Sequence, residues 1–554
     1  MCGIFGLFGT QMSQEELEDM AKRMVEKLHH RGPDDHGFHV LELRADGDGK
    51  DTRLAGRGMV GHTRLSIVDV EGGHQPLYTP QEDCVLICNG EIYNHKELRQ
   101  GLQQPYRFCT NSDSEVILAL YKQEGMDFLA KLDGMFAFIL VDFAKQRVVV
   151  ARDPIGIKTL VTAKGENGEL YFSSEVKALP KDIVEIKEFP NGNYWDSTTG
   201  EFKRYYEPSW WQDSELGDMA VPSAPADLEK VRMVFERAVK KRLMADVPVG
   251  VFLSGGLDSS LVAAVAKKYN TQEVLHSFSV GLENSPDLAA AREVAEFLGT
   301  RHHERIFTIE EGVQKVRDVI YYLETYDPGT IRSGVPMSML TELTSKHVKV
   351  SLSGEGSDEV FAGYLYFYDS PSVEELHRET VRKVKGLHGA QVQFVDRLTM
   401  MHSLEGRVPF LDLDLLDAIF SMRPEDKLPV HGQTIEKHIL RKAFEGYLPE
   451  SVLWRQKEQF GDGVGFGWID GLKAHCEATI SDEQMAMAKV KFPHDPPSTK
   501  EQYFYRSIFE ELFPYKGDAS PATLITRWAP WSDPHKHSEP SGRVQGVHEQ
   551  KVGA

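Results

Sequence analysis

The chain has 554 residues, which is enough for two or three domains with separate hydrophobic cores. Its 84 acidic and 63 basic side chains give a net charge of −21, and this acidic excess argues against a nucleic-acid-binding surface. Because it shows neither a basic leader nor an apolar run of membrane-spanning length, and because its five cysteines are too few for a disulfide framework, we expect a cytoplasmic protein without a signal peptide or membrane segment.

The second residue is a candidate nucleophile. A small residue at position 2 permits removal of Met1, and Cys2 would then carry both a thiol and a free α-amino group. With an ordinary pKa of about 7.7–8, that amino group can act as the base for the thiol of its own residue. Taken alone, Cys2 is better explained as a small apolar residue that enters a strand.

Polar motifs alternate with apolar runs over the next 150 residues, and the coarse prediction is mostly β structure with a few helices. A charged, glycine-rich insert at 44–58 predicts a surface hairpin extension or loop. The predicted elements are a polar turn at 30–34, a β-like run at 61–69, a strand at 84–88 that ends in Asn89-Gly90, a helix at 116–121 capped by Ser112 or Asp113, and a hairpin of 135–141 with 147–151.

Together with Cys2, the motifs at 30–34, 61–69, 89–94 and 110–115 resemble those of the class II glutamine amidotransferases. That family consists of N-terminal-nucleophile hydrolases with an αββα arrangement of layers. The resemblance implies that Cys2 attacks the amide of L-glutamine and releases ammonia through a glutamyl thioester. The sequence departs from the family at Thr159-Leu160-Val161, where the family has a Pro-Leu-Tyr turn. We expect this departure to affect local packing at the domain interface.

The same resemblance assigns roles to five further residues. Asn89 and the backbone N–H of Gly90 would form the oxyanion hole. Arg64 would hold the α-carboxylate of glutamine, while Glu91 and Asp113 would receive its ammonium group. Taken singly, Arg64 and Asp113 are explained as surface ion pairs and Asn89-Gly90 as a turn, and only their joint occurrence favours the site.

A composition change separates the two halves of the chain. Residues 210–226 lack periodicity and hold two prolines, so we expect a linker at 209–226 between domains at 2–208 and 227–530, with a polar, disordered tail at 531–554. Asp227 caps the first helix of the second domain. The predicted elements beyond it are strands at 247–253, 274–280, 303–309 and 348–352 and, among the helices between them, one at 287–298 with Asp287 as cap and Gly299 as stop.

Alternating strands and helices predict a parallel sheet covered on both faces, whose ligands bind beyond the carboxyl ends of the strands. Ser254 to Ser260 forms a serine- and glycine-rich turn between a strand and a helix, and such a turn is an anion site. A tight turn without a ligand is the alternative. The motif resembles the pyrophosphate loop of the ATP pyrophosphatases, which cut ATP between its α and β phosphates.

A second loop, 353–359, carries three acidic residues after the fourth strand. It could be a solvated turn. If the loop faces a triphosphate, its acidic side chains repel the phosphates unless a metal ion lies between them. We therefore expect Asp258 and Asp358 to share Mg²⁺ with the phosphates of ATP. Farther along the chain, Arg455 and Lys457 lie beside a glycine-rich turn. On the sequence alone, a solvated run of charges explains these residues as well as a binding site does.

Across almost the whole chain, these motifs resemble the glutamine-dependent asparagine synthetases. The family implies ATP, L-aspartate and L-glutamine as substrates, an internal ammonia passage and a homodimer. It places ATP against Leu253, Ser254, Gly255, Gly256, Asp258, Ser259, Val280, Ser353 and Gly354. Lys457 would steady the phosphates, and Glu355 would assist the attack of ammonia on the β-aspartyl adenylate. Thr330 and Arg332 would contact aspartate or pyrophosphate.

Two rival functions remain open from the sequence alone. One is an adenylating amidotransferase that accepts a different carboxylate, and the amino acid that stimulates pyrophosphate release would distinguish it. The other is a catalytically dead glutamine sensor. The retention of Cys2, Asp258, Glu355, Asp358 and Lys457 argues against the sensor.

Overall fold

The computed structural model describes residues 2–44, 54–211, 221–457, 463–465, 467–515 and 517–525. Most of the 44–58 insert, part of the expected linker and the whole of the 531–554 tail lie outside these ranges. Among the helices within them, none is both long enough and apolar enough to cross a bilayer.

Two six-stranded antiparallel sheets make up the first half. Their strands are β1 Cys2–Thr10, β2 Asp35–Leu43, β3 Gly56–Arg64, β4 Leu77–Tyr78, β5 Cys84–Ile92, β6 Gly134–Asp142, β7 Arg147–Arg152, β8 Val161–Gly165, β9 Leu170–Ser173, β10 Ile183–Glu188, β11 Asn193–Asp196 and β12 Glu201–Arg204. The strand orders are β10-β8-β9-β1-β3-β2 and β12-β11-β7-β6-β5-β4. The helices are α1 Gln14–Leu28, α2 His95–Gln100 and α3 Glu115–Glu124, with 3-10 turns at His29–Arg31, Asp127–Lys131, Val176–Ala178 and Ser209–Trp211.

The two sheets stack face to face with helices outside, which confirms the predicted αββα layers. In β5 the side chains alternate, with Leu86 and Cys88 packing in the core that contains α3 and Val85 and Ile87 in the core between the sheets. On the other side, α1 buries an apolar stripe at helical spacing against β3. Strands buried on both faces are what a four-layer arrangement requires.

Local elements of the first half differ from the prediction in three places. Strand β5 continues to Ile92, so Asn89 and Gly90 lie in the strand and not in a turn. Helix α3 begins at Glu115, and neither Ser112 nor Asp113 caps it, because the Asp113 carboxylate accepts the backbone N–H of Ile92 at 2.6 Å. The run 61–69 is not one strand, since β3 ends at Arg64. The β6–β7 hairpin is confirmed.

A five-stranded parallel sheet organises the second half, in the order β15-β14-β13-β16-β17. These strands are β13 Val249–Phe252, β14 His276–Gly281, β15 Arg301–Ile306, β16 Val350–Leu352 and β17 Glu405–Arg407. The helices are α4 Leu228–Lys241, α5 Leu257–Tyr269, α6 Pro286–Leu298, α7 Ile309–Leu323, α8 Pro328–Thr344, α9 Ser357–Val360, α10 Val373–Gly386, α11 Gln391–Met400, α12 Leu413–Phe420, α13 His438–Ala443, α14 Glu450–Leu453, α15 Gly467–Thr479, α16 Asp482–Ala486, α17 Ala488–Lys491 and α18 Lys500–Leu512. Short 3-10 turns lie at Leu365–Asp369, Leu387–Gly389, Pro409–Leu411, Pro424–Asp426, Gly517–Ala519 and Pro521–Leu524.

Every residue of β13, β16 and β17 is buried, so helices cover both faces of the sheet as predicted. The sequence analysis missed β17, because Glu-Gly-Arg carries no apolar pattern. Helix α6 is capped by Ser285, whose hydroxyl accepts the N–H of Leu288 at 3.3 Å, and not by Asp287. Gly299 ends α6 in the left-handed conformation, as expected.

The beginning of the expected linker is packed against the second half. Trp210 and Trp211 form part of a 3-10 turn, and both side chains are buried. The Trp210 ring stacks on Phe420 with centroids 4.4 Å apart, and its indole N–H donates to Asp417 at 2.7 Å. These contacts anchor the chain where it leaves the first half.

A buried ionic cluster joins the two halves. Asp396 of α11 accepts a hydrogen bond from Arg31 at 2.8 Å and one from Thr159 at 3.2 Å, and its other oxygen lies 3.5 Å from the Lys158 ammonium. Thr159 belongs to the segment that departs from the amidotransferase pattern. Arg31 also donates to the carbonyl of Cys2 at 2.9 Å, so the cluster connects the amino-terminal strand directly to α11.

Replacing Asp396 with alanine is expected to lower the thermal unfolding midpoint, because the buried Arg31 would keep Glu175 as a partner but lose Asp396, and the buried Lys158 would lose the same carboxylate. Breaking a buried ion pair by removing one partner costs about 3–5 kcal/mol. The matched control is Glu511→Ala, which removes a solvent-exposed partner of Arg317 and should cost about 1 kcal/mol or less. Calorimetry that found equal midpoints for the two variants would contradict the structural role of the cluster.

Candidate active sites

The first candidate site surrounds Cys2 at the start of β1. The backbone nitrogen of Cys2 donates to the side-chain oxygen of Asn89 at 2.9 Å, and Arg64 lies opposite Cys2 on β3. Burial raises the pKa of the Cys2 thiol. A thiol with a raised pKa is protonated at rest, so its reaction as a nucleophile requires a neighbouring base.

An unused hydrogen-bond donor lies next to this thiol. The side-chain nitrogen of Asn89 is buried and makes no hydrogen bond within the described residues. Gly90 has φ 145°, and a Cβ there would lie 1.9 Å from the carbonyl oxygen of Met135, so the strand accepts only glycine at this position. A buried amide donor without a partner is costly, and a developing oxyanion would satisfy it.

Arg64 is held in place by the loop that follows its strand. Its guanidinium donates to the carbonyls of Val68, Asp69 and Val70 at 3.3, 2.6 and 3.0 Å. A guanidinium has five N–H groups, so two are left for a ligand when the contacts within the described part of the chain are counted. The side chain is fixed and still able to bind a carboxylate.

Glu91 and Asp113 are buried acids whose charges act on each other. Burial raises the pKa of Asp113 to about 6 despite the hydrogen bond from Ile92. Burial, and then the charge of Glu405, raises the pKa of Glu91 well above its usual value. One oxygen of Glu91 has no hydrogen-bond partner within the described residues. Such a pair can receive a cationic ligand.

The second candidate site is a cavity of about 240 Å³ at the carboxyl ends of β13, β14 and β16. Its position agrees with the location expected for ligands of a parallel sheet. Most of the residues assigned to this site by the sequence analysis line the cavity: Leu253, Ser254, Gly256, Asp258, Ser259, Val280, Thr330, Ser353, Gly354, Glu355, Asp358 and Lys457.

Hydrogen bonds from Ser259 hold the serine- and glycine-rich turn in shape. Its hydroxyl accepts the N–H of Ser254 at 3.1 Å and donates to the carbonyl of Gly256 at 3.2 Å. Gly255 has φ 72°, and a Cβ there would lie 2.5 Å from the backbone nitrogen of Ala291. Gly255 is therefore a packing requirement and is not itself among the residues that line the cavity.

Two acids and two lysines form the charged side of the cavity. Lys437 lies 2.5 Å from Asp258 and 2.7 Å from Asp358, and Lys457 contacts the other oxygen of Asp358. Burial acts to raise the pKa of Asp358, but the ammonium groups of Lys437 and Lys457 outweigh it and lower the pKa to about 2. The side therefore carries fixed charges of both signs.

Of the three acids in the second loop, two face the cavity. Glu355 lines it, and burial together with the carboxylate of Glu359 raises the pKa of Glu355 to about 8. Glu359 instead accepts a hydrogen bond from Tyr364 at 2.5 Å in a buried position. Glu355 can therefore exchange a proton near neutral pH, which is the property required of a general acid or base.

The structure does not bring Arg332 to the cavity. Its guanidinium donates to both oxygens of Glu501, at 2.9 and 2.6 Å, and the residue does not line the cavity. Helix α8 directs Arg332 towards α18 instead. The same helix presents Thr330 and Ser333 to the cavity.

The sequence analysis missed Lys437 and Arg407. Lys437 lines the cavity in a left-handed backbone conformation with φ 57°, and no local motif indicates it. Arg407 forms an ion pair with Glu405 at 2.5 Å, lies 3.7 Å from Glu91, and accepts the N–H of Ser353 at its carbonyl at 2.8 Å. The contacts of Arg407 with both sites depend on residues distant in the sequence, so no local pattern indicates them.

Comparison with known proteins gives consistent results for both halves. A family model described as a glutamine amidotransferase domain matches residues 1–192, and one described as asparagine synthase matches 230–376 and 368–532. Asparagine synthetase B (glutamine-hydrolysing) of Escherichia coli K12 is 45% identical over 99% of each chain. A probable asparagine synthetase of Schizosaccharomyces pombe is 44% identical over 99% of each chain.

Among solved structures, the glutamine phosphoribosylpyrophosphate amidotransferase of B. subtilis in complex with ADP and GMP is 18% identical. The likeness covers 55% of this chain and 65% of that one, with a TM-score of 0.30.

Proposed function

The chain belongs to the glutamine-hydrolysing asparagine synthetases, ligases that amidate L-aspartate with nitrogen from L-glutamine in an ATP-dependent reaction through β-aspartyl-AMP, and we propose that its two candidate sites divide this reaction between them. The site at Cys2 releases ammonia, and the cavity at the parallel sheet activates aspartate. Two features that occur together carry the proposal. One is a buried thiol beside an unused amide donor, and the other is a separate cavity lined by a glycine-rich turn that can bind an anion.

At the first site, Cys2 attacks the side-chain amide of glutamine after Met1 has been removed. The free α-amino group accepts the thiol proton, and the hydrogen bond to Asn89 supports this role by orienting that nitrogen. The side-chain nitrogen of Asn89 and the N–H of Gly90 stabilise the oxyanion. Ammonia leaves with the proton, and water then hydrolyses the glutamyl thioester to glutamate.

The charges around Cys2 are suited to a zwitterionic amino acid. The two remaining N–H groups of Arg64 bind the α-carboxylate of glutamine, and Glu91 and Asp113 bind its ammonium. The raised pKa values of the two acids support this assignment, because they stay raised although Arg407 lies 3.7 Å from Glu91, and a bound ammonium would stabilise the charged form of both acids.

The pH dependence of glutamine hydrolysis follows from Asp113. Its raised pKa means that the carboxyl becomes neutral as the pH falls through about 6, and a neutral carboxyl cannot hold an ammonium. We expect kcat/KM for glutamine to fall about tenfold per pH unit below this point, because kcat/KM reports groups of the free enzyme. Asp113→Asn should lower kcat/KM and remove the step near pH 6 from the acid limb, while the parts of the limb that come from the Cys2 α-amino group and from Glu91 remain. A step near pH 6 that persists in this variant would contradict the assignment.

At the second site, the turn from Ser254 to Ser259 binds pyrophosphate oxygens of ATP, with adenine against Leu253 and Val280. Lys457 steadies the phosphates while the β-carboxylate of aspartate attacks the α-phosphorus, forming β-aspartyl-AMP and pyrophosphate. The pKa of Glu355, near 8, supports its role as the group that takes a proton from the attacking ammonia. Thr330 contacts aspartate or pyrophosphate.

Asp258 and Asp358 are the residues that would hold Mg²⁺. Both carboxylates contact the one ammonium of Lys437, so they point to a common place, and carboxylate oxygens are ligands that Mg²⁺ prefers. When bound, the ion would neutralise part of the charge of the triphosphate. Lys437 and Lys457 supply part of the same neutralisation from the protein.

Three further parts of the proposal concern organisation. Domain boundaries at 2–208 and 227–530, with a linker at 209–226, are supported by the end of β12 at Arg204 and the start of α4 at Leu228. A homodimer is proposed from family resemblance. A cytoplasmic location is supported by the need to keep the Cys2 thiol reduced.

The direct test of the acceptor is a screen of acidic amino acids with ATP and ammonium, with AMP and pyrophosphate as readouts. L-Aspartate alone should stimulate both products in equal amounts. A different amino acid as the best activator would favour the adenylating amidotransferases that use another carboxylate.

A further inference from the structure

Three histidines converge at the amino-terminal edge of the parallel sheet, away from both candidate active sites. His276 begins β14, His303 lies in β15, and His347 follows α8. Ligating nitrogens of all three side chains lie within 4.8 Å of one another. Nothing in the glutaminase or synthetase chemistry uses these residues.

The sheet itself brings the first two histidines together. In the parallel register Phe278 lies opposite His303, and the two-residue period puts His276, Phe278 and His303 on one face. The imidazole rings of His276 and His303 are inclined by 3° with centroids 5.1 Å apart. The neighbouring His302 faces the other way, towards Ser277 and Ser279. The third ring, of His347, lies 4.0 Å from that of His303.

The surroundings of His276 and His303 favour the neutral imidazole, which is the form that binds metals. Burial, followed by the charges of His347 and His276, lowers the pKa of His303 to about 4, and burial lowers the pKa of His276. Nδ1 of His276 and Nε2 of His303 are 2.9 Å apart and share one hydrogen bond. One of these two nitrogens carries the shared proton, and the tautomer that has this proton on the outer nitrogen of the same ring directs both lone pairs inward.

We propose that His276, His303 and His347 form a site for a borderline divalent transition-metal cation of the Zn²⁺ class. Three imidazole nitrogens are typical of such ions, whereas Mg²⁺ and Ca²⁺ prefer oxygen. His347 is exposed, so the cluster can be reached from solvent. Arg301 at the start of β15 is also exposed.

A bound cation would tie β14 and β15 to the end of α8. Phe278 stacks on His303 at 5.0 Å and also lines the ATP cavity, so the site adjoins the sheet that shapes that cavity. The cation therefore acts as a clamp that raises stability, and it takes no part in either reaction.

The test is calorimetric titration of the full chain with Zn²⁺. The background carries Cys2→Ala, His535→Gln and His537→Gln, which remove the amino-terminal chelate and the His-x-His pair of the tail. This protein should bind one equivalent and unfold at a higher temperature in the presence of the metal, since a ligand that binds only the folded state stabilises it.

Variants of the cluster decide where the metal binds. On this background, His303→Asn and His347→Gln should each weaken binding at least about tenfold and abolish the thermal shift. His347 is exposed, so its variant stays informative if His303→Asn fails to fold. The control is His475→Gln, an exposed histidine on α15, which should change nothing. Absence of saturable binding, or binding of equal strength in the His347 variant, would overturn the proposal.

Discussion

Replacing Cys2 with alanine is expected to lower glutamine-dependent asparagine formation by at least about 10³-fold while ammonium-dependent formation continues at the normal rate. The reason is structural. Cys2 lies in the antiparallel half, whereas every group assigned to ATP and aspartate lines a cavity at the parallel sheet. The measurement is asparagine formation with either nitrogen source, at saturating ATP and aspartate.

The exposed thiol of Cys109 provides the control for this variant, because Cys109→Ala removes a thiol outside both sites. It should leave both activities unchanged. If ammonium failed to support the Cys2→Ala enzyme, the two reactions would not be separable, and the assignment of separate sites would be wrong.

The opposite pattern is expected from Lys437→Met. This change removes the ammonium that contacts both Asp258 and Asp358, so the two carboxylates would face the triphosphate with Lys457 as the remaining lysine. Synthesis should fall at least about 10²-fold with either nitrogen source, comparable to the loss of one electrostatic stabiliser. Glutamate release from glutamine alone should persist, because Lys437 lines the cavity at the parallel sheet, whereas Cys2 lies in the antiparallel half.

A second buried lysine offers a matched control for that experiment. Lys427 lies over the ring of Phe420 at 4.5 Å, outside both sites, and burial lowers its pKa to about 7. Lys427→Met should therefore preserve synthesis. Equal losses in the two variants would mean that the effect of Lys437→Met is one of general stability and not of the ATP site.

What the sequence predicted well was local chemistry. The turn from Ser254 to Ser259 could be recognised because a strand, two glycines and a helix follow one another along the chain, and their meaning does not depend on distant residues. The layers of the first half were predictable because Cys2 and its associated motifs carried a family resemblance.

What could not be predicted depends on contacts between distant positions. Lys437 and Asp258 are 179 positions apart, and the stretch around Lys437 has no pattern of its own. The ion pair of Arg332 with Glu501, away from the cavity, is revealed only by tertiary packing. The role of Asp113 as an acceptor for Ile92, instead of a helix cap, likewise depends on the pairing of a loop with β5.

The contacts of Arg31 and Arg407 suggest how the sites are coupled. Arg31 connects the carbonyl of Cys2 to Asp396 on α11, and α11 also presents Phe394 to the ATP cavity. The guanidinium of Arg407 lies near Glu91, and its backbone carbonyl accepts the N–H of Ser353. We propose that this packed interface encloses the path by which ammonia reaches the adenylate as the neutral molecule.

The most direct test of this coupling is asparagine synthesis from glutamine labelled with ¹⁵N in its amide, in the presence of excess unlabelled ammonium. The account predicts that the ¹⁵N fraction of the asparagine stays well above that of the ammonium in solution, with one AMP formed for each asparagine. Asparagine whose label matches the ammonium pool would show that the nitrogen released at Cys2 escapes before it is used.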